Sequence, residues 1–327
     1  IVIVSNMSRS ILFAVSGLCI RFPLGLASCS GATYCPFRVF EGRDAMTARI
    51  AFQGEPGAYG HQACIEARPD FEPLPCATFE EAIEAVRKGD AELGMIGVEN
   101  STYGRVADVH QLLPDSGLHI VDEAFVRVHI NALGVPGSKL SDLKRVRSMS
   151  ILLGQAREFI RDNGLETLNW SDNAAAAREV ATLNNPAEGA LASEIAAKIY
   201  GLDILARHVE DHDRNTTRFL IMAREPDLKR RGKFGMMTSF VFRVRNIPAA
   251  LYKAMGGFAT NGVNMTKLES YMVGGHFTAT QFYAEIEGHP DDRNVQLAFE
   301  ELDYFTDHLK LLGVYPTAAR RHEKVRD

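Results

Sequence analysis

The chain has 327 residues, 46% hydrophobic and 24% charged, with 36 basic against 41 acidic side chains and a net charge of −5. That balance excludes a disordered or collagen-like chain, and an acidic body without a basic block argues against nucleic acid as a partner. The greasiest stretch, residues 11–26, is cut by Arg21 and Pro23, so neither a membrane span nor a membrane partner is expected.

Residues 1–45 show no clear helix or strand period and no acid before Glu41, and the sequence changes character at Met46. They are read as an N-terminal extension outside the fold, disordered or artefactual. The alternative is a targeting peptide: Arg9, an apolar stretch at 11–20, then Leu26, Ala27, Ser28 and Cys29 with the look of a lipoprotein cleavage site. Three of the five cysteines (Cys19, Cys29, Cys35) fall in this segment, leaving Cys64 and Cys76 to the body, so neither a disulfide framework nor a CxxC metal site is present.

From Arg49 onward strands and helices alternate. A strand at 50–52 runs into a glycine-rich turn at 54–60 and a helix opening near His61. A helix at 78–88 has Thr78 as N-cap and Glu81 three residues on, and the apolar strand 93–98 runs straight into Glu99, Asn100 and Ser101. A helix at 106–113, strands at 120–128 and 131–135, helices at 154–163 and 173–183, a strand at 190–192 and a helix at 193–200 follow. The polar turn Asn215–Thr216 then opens an apolar strand to Ala223. Residues 225–235, charged and carrying Pro226 and Gly232, read as a linker. Beyond it come strand 238–244, helix 249–260 opened by Pro248, strand 265–272, a hairpin at Gly274 and Gly275, strand 277–286, helix 291–307 and strand 309–315. This βαββαβ order in about 80 residues is the ferredoxin-like split sandwich. Its open sheet face and free edges predict a homodimer or homotetramer.

Ligands of α/β sheets bind outside the carboxyl ends of the strands, and three places meet that description. GEPGAYGH, from Gly54 to His61, offers backbone amides, although it matches neither GxGxxG nor a P-loop. Glu99, Asn100 and Ser101 can accept, donate and orient, or simply terminate a strand. Asn215 to Phe219 (NTTRF) places two hydroxyls, a guanidinium and an aromatic ring together, able to grip a carboxylate or to form an ordinary strand edge. His110, His119, His129, His208 and His212 are scattered without helical pairing and are read as surface or structural residues, not metal ligands. No serine sits in a nucleophile elbow, and neither Cys64 nor Cys76 has a suitable partner for covalent catalysis.

Taken together, Thr217-Arg218-Phe219, Glu99-Asn100-Ser101, the Gly54 to Gly57 turn and the C-terminal sandwich with Glu269 and Ser270 resemble the prephenate dehydratases over residues 47–316. The type resembled is the bacterial one, a dehydratase domain fused to a regulatory ACT domain. The resemblance implies an α/β periplasmic-binding-protein-like domain of two lobes at 47–224, the linker at 225–235, an α+β ferredoxin-like ACT domain at 236–316 and a tail at 317–327. It also implies a cytoplasmic lyase that dehydrates and decarboxylates prephenate in phenylalanine biosynthesis, needs no cofactor or metal, and is feedback-regulated by L-phenylalanine. Thr217, Glu99 and Asn100 would be catalytic. Arg218 would anchor a carboxylate and Phe219 would wall the pocket, with Ser101, Ser148, Gln155, Gly57 and Ala58 also contacting substrate. Ala249, Ala250, Leu251, Asn264, Glu269 and Ser270 would bind phenylalanine. The sequence departs from the family pattern at Met149 to Ile151, where a histidine-bearing segment is usual, at Gly60 and Gly97, and at Tyr271 and Met272. The changes at 149–151, Gly60 and Gly97 leave open arogenate as substrate, or a non-catalytic two-lobed amino-acid sensor, and those at Tyr271 and Met272 leave open the strength and sign of phenylalanine regulation.

Overall fold

The computed structural model describes residues 10–15, 18–23, 48–245, 247–272 and 279–322. Ile1–Met46 form one compact unit and Thr47–Asp327 another. In the first, β1 (Ser10–Val15) pairs antiparallel with β2 (Leu18–Pro23). SILFAV and LCIRFP are apolar at almost every consecutive position, so there is no alternation from which a strand could be read. The cleavage-like residues 26–29, the hairpin at Gly274 and Gly275, the start of the strand expected from Phe277 and the tail's residues 323–327 lie outside the described residues.

The second unit begins with a first lobe. It comprises β3 (Arg49–Gln53), α1 (Tyr59–Ala67), β4 (Glu72–Cys76), α2 (Phe79–Lys88), β5 (Leu93–Asn100), β6 (Gly104–Arg105), α3 (Ala107–Leu112) and β7 (His119–Arg127). Thr78 caps α2 as its spacing predicts: its Oγ1 accepts from the Glu81 amide at 3.2 Å, while the Glu81 carboxylate accepts from the Ala77 amide at 2.9 Å. The chain then crosses to a second lobe. There β8 (Asn131–Gly134), β9 (Arg145–Ser148), α4 (Ser150–Gln155), α5 (Arg157–Asp162), β10 (Glu166–Asn169), α6 (Asn173–Leu183), β11 (Glu188–Ala192), α7 (Glu194–Tyr200) and β12 (Asp203–Ala206) build a sheet of order β10-β9-β11-β8-β12. A second crossing returns the chain to the first lobe as β13 (Thr216–Ala223), between β5 and β7. Two lobes joined by two crossings make this a periplasmic-binding-protein-like α/β body.

The C-terminal module follows as β14 (Met236–Val244), α8 (Ala250–Thr260), β15 (Met265–Met272), β16 (Ala279–Glu287), α9 (Arg293–Phe305) and β17 (Thr306–Pro316), with sheet order β15-β16-β14-β17. Alternation sorts its two faces. Phe240, Phe242 and Phe282 pack with Phe258 of α8 and Leu302 of α9, whereas Val241 and Tyr283 point the other way and join Val98, Leu113 and Leu220 of the first lobe. The sequence reading expected a second copy over that face; the first lobe of the same chain covers part of it. One edge is covered too, because β17 pairs parallel with β7 at Gly313 and Ile120. The lobe and the module therefore share one continuous sheet, β15-β16-β14-β17-β7-β13-β5-β3-β4. A side chain at Gly313 would run into the Ile120 backbone, so glycine is what permits this approach.

Candidate active site

β5 and β13 run antiparallel in a register that sets Thr217 opposite Asn100 and Arg218 opposite Glu99. Successive strand side chains point to opposite faces. Asn100 and Thr217 therefore share one face, and Glu99 and Arg218 share the other.

On the first face a hydrogen-bonded chain spans the two lobes. Asn100 Oδ1 accepts from the amides of Thr102 (2.9 Å) and Tyr103 (3.1 Å), which orients the side-chain amide without ambiguity. Its Nδ2 then donates to Thr217 Oγ1 at 3.0 Å and to Asn215 Oδ1 at 2.7 Å. Asn215, only 1% exposed, donates in turn to Gln155 Oε1 on α4 at 2.8 Å. The far end of this chain is Gln155 Nε2, a buried donor without a hydrogen-bond partner among the described residues. Because Thr217 accepts from Asn100, its own hydroxyl proton is left to be donated, and Gln155 offers a second donor from the opposite lobe. The sequence reading included Thr217, Asn100 and Gln155. It did not assign a role to Asn215, the connector between them.

The second face has another purpose. Arg218 spends four of its five donors inside the protein: Nε on Glu123 (2.9 Å), Nη1 on Glu99 and Glu285 (both 2.9 Å) and Nη2 on the Tyr315 hydroxyl (3.0 Å). Glu285 and Tyr315 belong to the C-terminal module. Glu99 is also held by Lys267 of β15, and Arg321 from the tail bridges Glu123 and Glu285. Arg218 thus faces the C-terminal module instead of anchoring a substrate carboxylate, and Glu99 lies with it, away from Thr217; both placements follow from one-residue alternation along the strands. Burial by itself would raise the Glu99 carboxyl, but Arg218 and Lys267 outweigh it and hold the pKa at about 2. Glu285 is likewise kept below the ordinary carboxylate range, with Arg218 outweighing burial.

The remaining expected contacts fall in several places. Phe219 packs in the first-lobe core with Ile50, Phe52 and Cys64, against Gly97, and is not a pocket wall. The Cys64 thiol, pushed up to about 12 by burial, suits that apolar setting. Ser101 Oγ donates to the Arg214 carbonyl at 2.8 Å and fixes the second crossing beside Asn215. Ser148 is fully buried and donates to the Leu191 carbonyl at 2.7 Å, so it joins two strands of the second lobe. Gly57 gives its amide to His61 Nδ1 at 2.9 Å and its carbonyl to Ser193, and a Cβ there would lie 2.8 Å from Ala196 Cα. With Ala58 buried beside it, this part of the glycine-rich turn is packed on α7 of the second lobe, while residues 54–56 line the neighbouring cavity.

Beside that turn a cavity of about 420 Å³ opens between the lobes, lined by Gln53, Glu55 and Cys76 on one side and Ser171, Asp172 and Ala175 on the other. Asp172 caps α6 by accepting from the amides of Ala174 (2.7 Å) and Ala175 (3.0 Å). Burial pushes its carboxyl above the ordinary range despite those bonds. The sequence signal for Asp172 was a helix N-cap, which says nothing about a cleft.

With this geometry in place, the comparisons with known proteins are specific. Residues 50–227 match the family model described as prephenate dehydratase. A bifunctional N-acyl-homoserine lactone acylase/prephenate dehydratase of Komagataeibacter europaeus is 48% identical over 274 residues, covering 84% of this chain and 98% of that protein. The chain belongs to the prephenate dehydratase family. Arogenate dehydratase/prephenate dehydratase 1 of Arabidopsis thaliana is 37% identical, over 84% of this chain and 73% of the relative. The structure of prephenate dehydratase in complex with L-Phe from Arthrobacter aurescens superposes with a TM-score of 0.75 at 27% identity, over 83% of this chain and 90% of that one. As a prephenate dehydratase family member the protein is a carbon–oxygen lyase.

The residues expected to bind phenylalanine are divided in this prephenate dehydratase chain. Ala249 adopts a left-handed φ of 61° as the N-cap of α8, and Ala250 lines a cavity of about 380 Å³ with Arg245, Ile247, Lys253, Tyr304 and Phe305. Leu251 packs inward against the core of the module. Asn264, Glu269 and Ser270 are not among that cavity's lining residues. The Asn264 carbonyl accepts from the Glu287 amide, Ser270 lies in β15 opposite Phe282, and Glu269 makes an ion pair with Arg105 of the first lobe at 3.0 Å.

Proposed function

We propose that this chain converts prephenate to phenylpyruvate, water and carbon dioxide. Loss of carbon dioxide sends an electron pair into the ring, which becomes aromatic as it expels its hydroxyl group. The protein has only to hold the dianion and help that hydroxyl leave. Thr217 is the residue for the second task. Its hydroxyl is too weak an acid to supply protons freely, so it acts by a positioned hydrogen bond to the leaving oxygen, oriented through Asn100. The observation that carries this reading is the bond from Asn100 Nδ2 to Thr217 Oγ1, which orients the threonine oxygen and leaves its O–H free to donate. L-phenylalanine regulates the reaction through the C-terminal module, read as an ACT domain; the ligand of the Arthrobacter relative supports this, as does the cavity pairing Arg245 and Lys253 with Tyr304 and Phe305.

One observation favours a second substrate. Asp172 lines the interlobe cavity beside Glu55, which is paired with Arg178 at 2.9 Å; a carboxyl there is a partner for the ammonium group of arogenate that the keto group of prephenate does not need, and several relatives are named arogenate dehydratases. The test is turnover of each compound by the purified protein, with and without phenylalanine, in wild type and Asp172→Asn. Prephenate turnover suppressed by phenylalanine is expected. A preference for arogenate that collapses in the variant would establish the second reading, and no turnover of either compound by folded protein would refute both.

A further inference from the structure

The two crossings that join the lobes carry a cluster which the dehydratase chemistry does not use. His129 lies in the outgoing crossing between β7 and β8, and His208 and Glu210 lie in the return between β12 and β13. The crossings are tied together by the Val209 amide on the Ile130 carbonyl (2.8 Å) and the Val128 amide on the Asn215 carbonyl (2.9 Å).

Three lone-pair-bearing atoms converge there. His129 Nδ1 is 2.9 Å from Glu210 Oε1 and 2.8 Å from His208 Nδ1, and His208 Nδ1 is 3.8 Å from Glu210 Oε1. One proton cannot satisfy this arrangement. If His129 Nδ1 carries it for Glu210, the same N–H cannot also serve His208; if His208 donates to His129, the His129 lone pair faces the carboxylate. A cation at the point of convergence satisfies all three atoms. Zinc bonds to nitrogen and oxygen of about 2.0–2.2 Å put tetrahedral ligand atoms roughly 3.3 Å apart, and the three separations straddle that value.

The surroundings fit as well. Glu210 Oε2 accepts the Ile130 amide at 2.8 Å, which fixes the carboxylate as an outer-shell partner does. The Tyr59 hydroxyl holds the His129 carbonyl at 2.9 Å. His208 takes a left-handed φ of 53°, a conformation that side-chain-bearing residues rarely adopt and that is retained where a site demands it. Asn131, 2% exposed, lines the same small cavity as His129 and His208, and its Oδ1 is a buried acceptor without a partner among the described residues. The imidazoles are half exposed, so an ion has a way in and room for a water in a remaining position.

We propose that His129, His208 and Glu210 form a binding site for a divalent cation of the zinc class, which staples the two crossings between the lobes. The site goes beyond the dehydratase reading, and its test needs no substrate, so the two fail separately. Full-length protein stripped with a chelator is titrated with cobalt(II), followed by visible absorption, and with zinc by calorimetry. One equivalent should bind with a low-coordinate cobalt spectrum. Affinity should fall at least about tenfold in His208→Ala and in Glu210→Gln, and remain unchanged in His212→Ala. Zinc should raise the melting temperature of the wild type and not that of His208→Ala. His208 is exposed, so its variant is expected to fold, and far-UV circular dichroism checks this. Binding of equal strength in wild type and both site variants, or no stoichiometric binding in the wild type, would overturn the proposal.

Discussion

At the residue scale, the alternating direction of strand side chains decides more than their chemistry. Thr217 and Arg218 are neighbours in sequence, yet one faces the lobe-spanning amide chain and the other a buried cluster of carboxylates. Removing Arg218 as Arg218→Met leaves the buried Glu123 and Glu285 with Arg321 alone for a cation, and should cost up to about 3–5 kcal/mol in urea unfolding. Lysine should not restore it, because a single ammonium cannot replace a fork of donors. The same cluster sets a pH dependence. Glu99 and Glu285 have folded-state pKa values below their unfolded values, so their contribution to stability is present above about 4.5 and is lost on acidification, for Glu99 as pH falls toward about 2. A wild-type unfolding free energy that does not decline over that interval would contradict the arrangement. In the sequence, Arg218 looked like a substrate anchor because an arginine beside a strand end suits an anion; its partners Glu285 and Tyr315 are more than 60 residues away and carry no local signal.

At the element scale, long periodic segments were legible and short polar ones were not. The spacing placed α6 at 173–183 and β15 at 265–272, where the structure has them. It missed β4, written EPLPC with two prolines, and β9, β10 and β12, each of four residues. The single helix expected at 154–163 is two, α4 and α5, broken at Ala156. Its second start is capped from a distance by the Asp211 carboxylate, on the amides of Arg157 (3.0 Å) and Glu158 (3.1 Å), a contact invisible to local sequence. The junction of β17 with β7 was equally hidden, because it depends on the absence of a side chain at Gly313. Gly313→Val should force these strands apart and destabilise the protein by about 1–3 kcal/mol. Thermal denaturation should then show the C-terminal module loosening before the lobes, and a single unshifted transition would count against the shared sheet.

At the scale of the whole molecule, the parts are connected twice over. The chain Thr217–Asn100–Asn215–Gln155 links the first lobe to the second, and the Arg218 cluster links the same strand, β13, to the C-terminal module. A ligand that shifts the module against β7 and β13 therefore has a physical route to Thr217, which is what regulation through that module requires. The α/β body and the ferredoxin-like module could be read from the order of elements, and Thr217 and Asn100 from their place at strand ends, whereas the two lobes and Gln155 came only with the family resemblance. Which face each side chain takes, and that Gly57 and Ala58 of the glycine-rich turn are packed against α7, required the folded chain. The most direct measurement is the rate of phenylpyruvate formation from prephenate by Thr217→Ala beside the wild type. A kcat lowered by about 10²-fold or more with KM little changed is predicted; an unchanged kcat would remove Thr217, and the site built around it, from the chemistry.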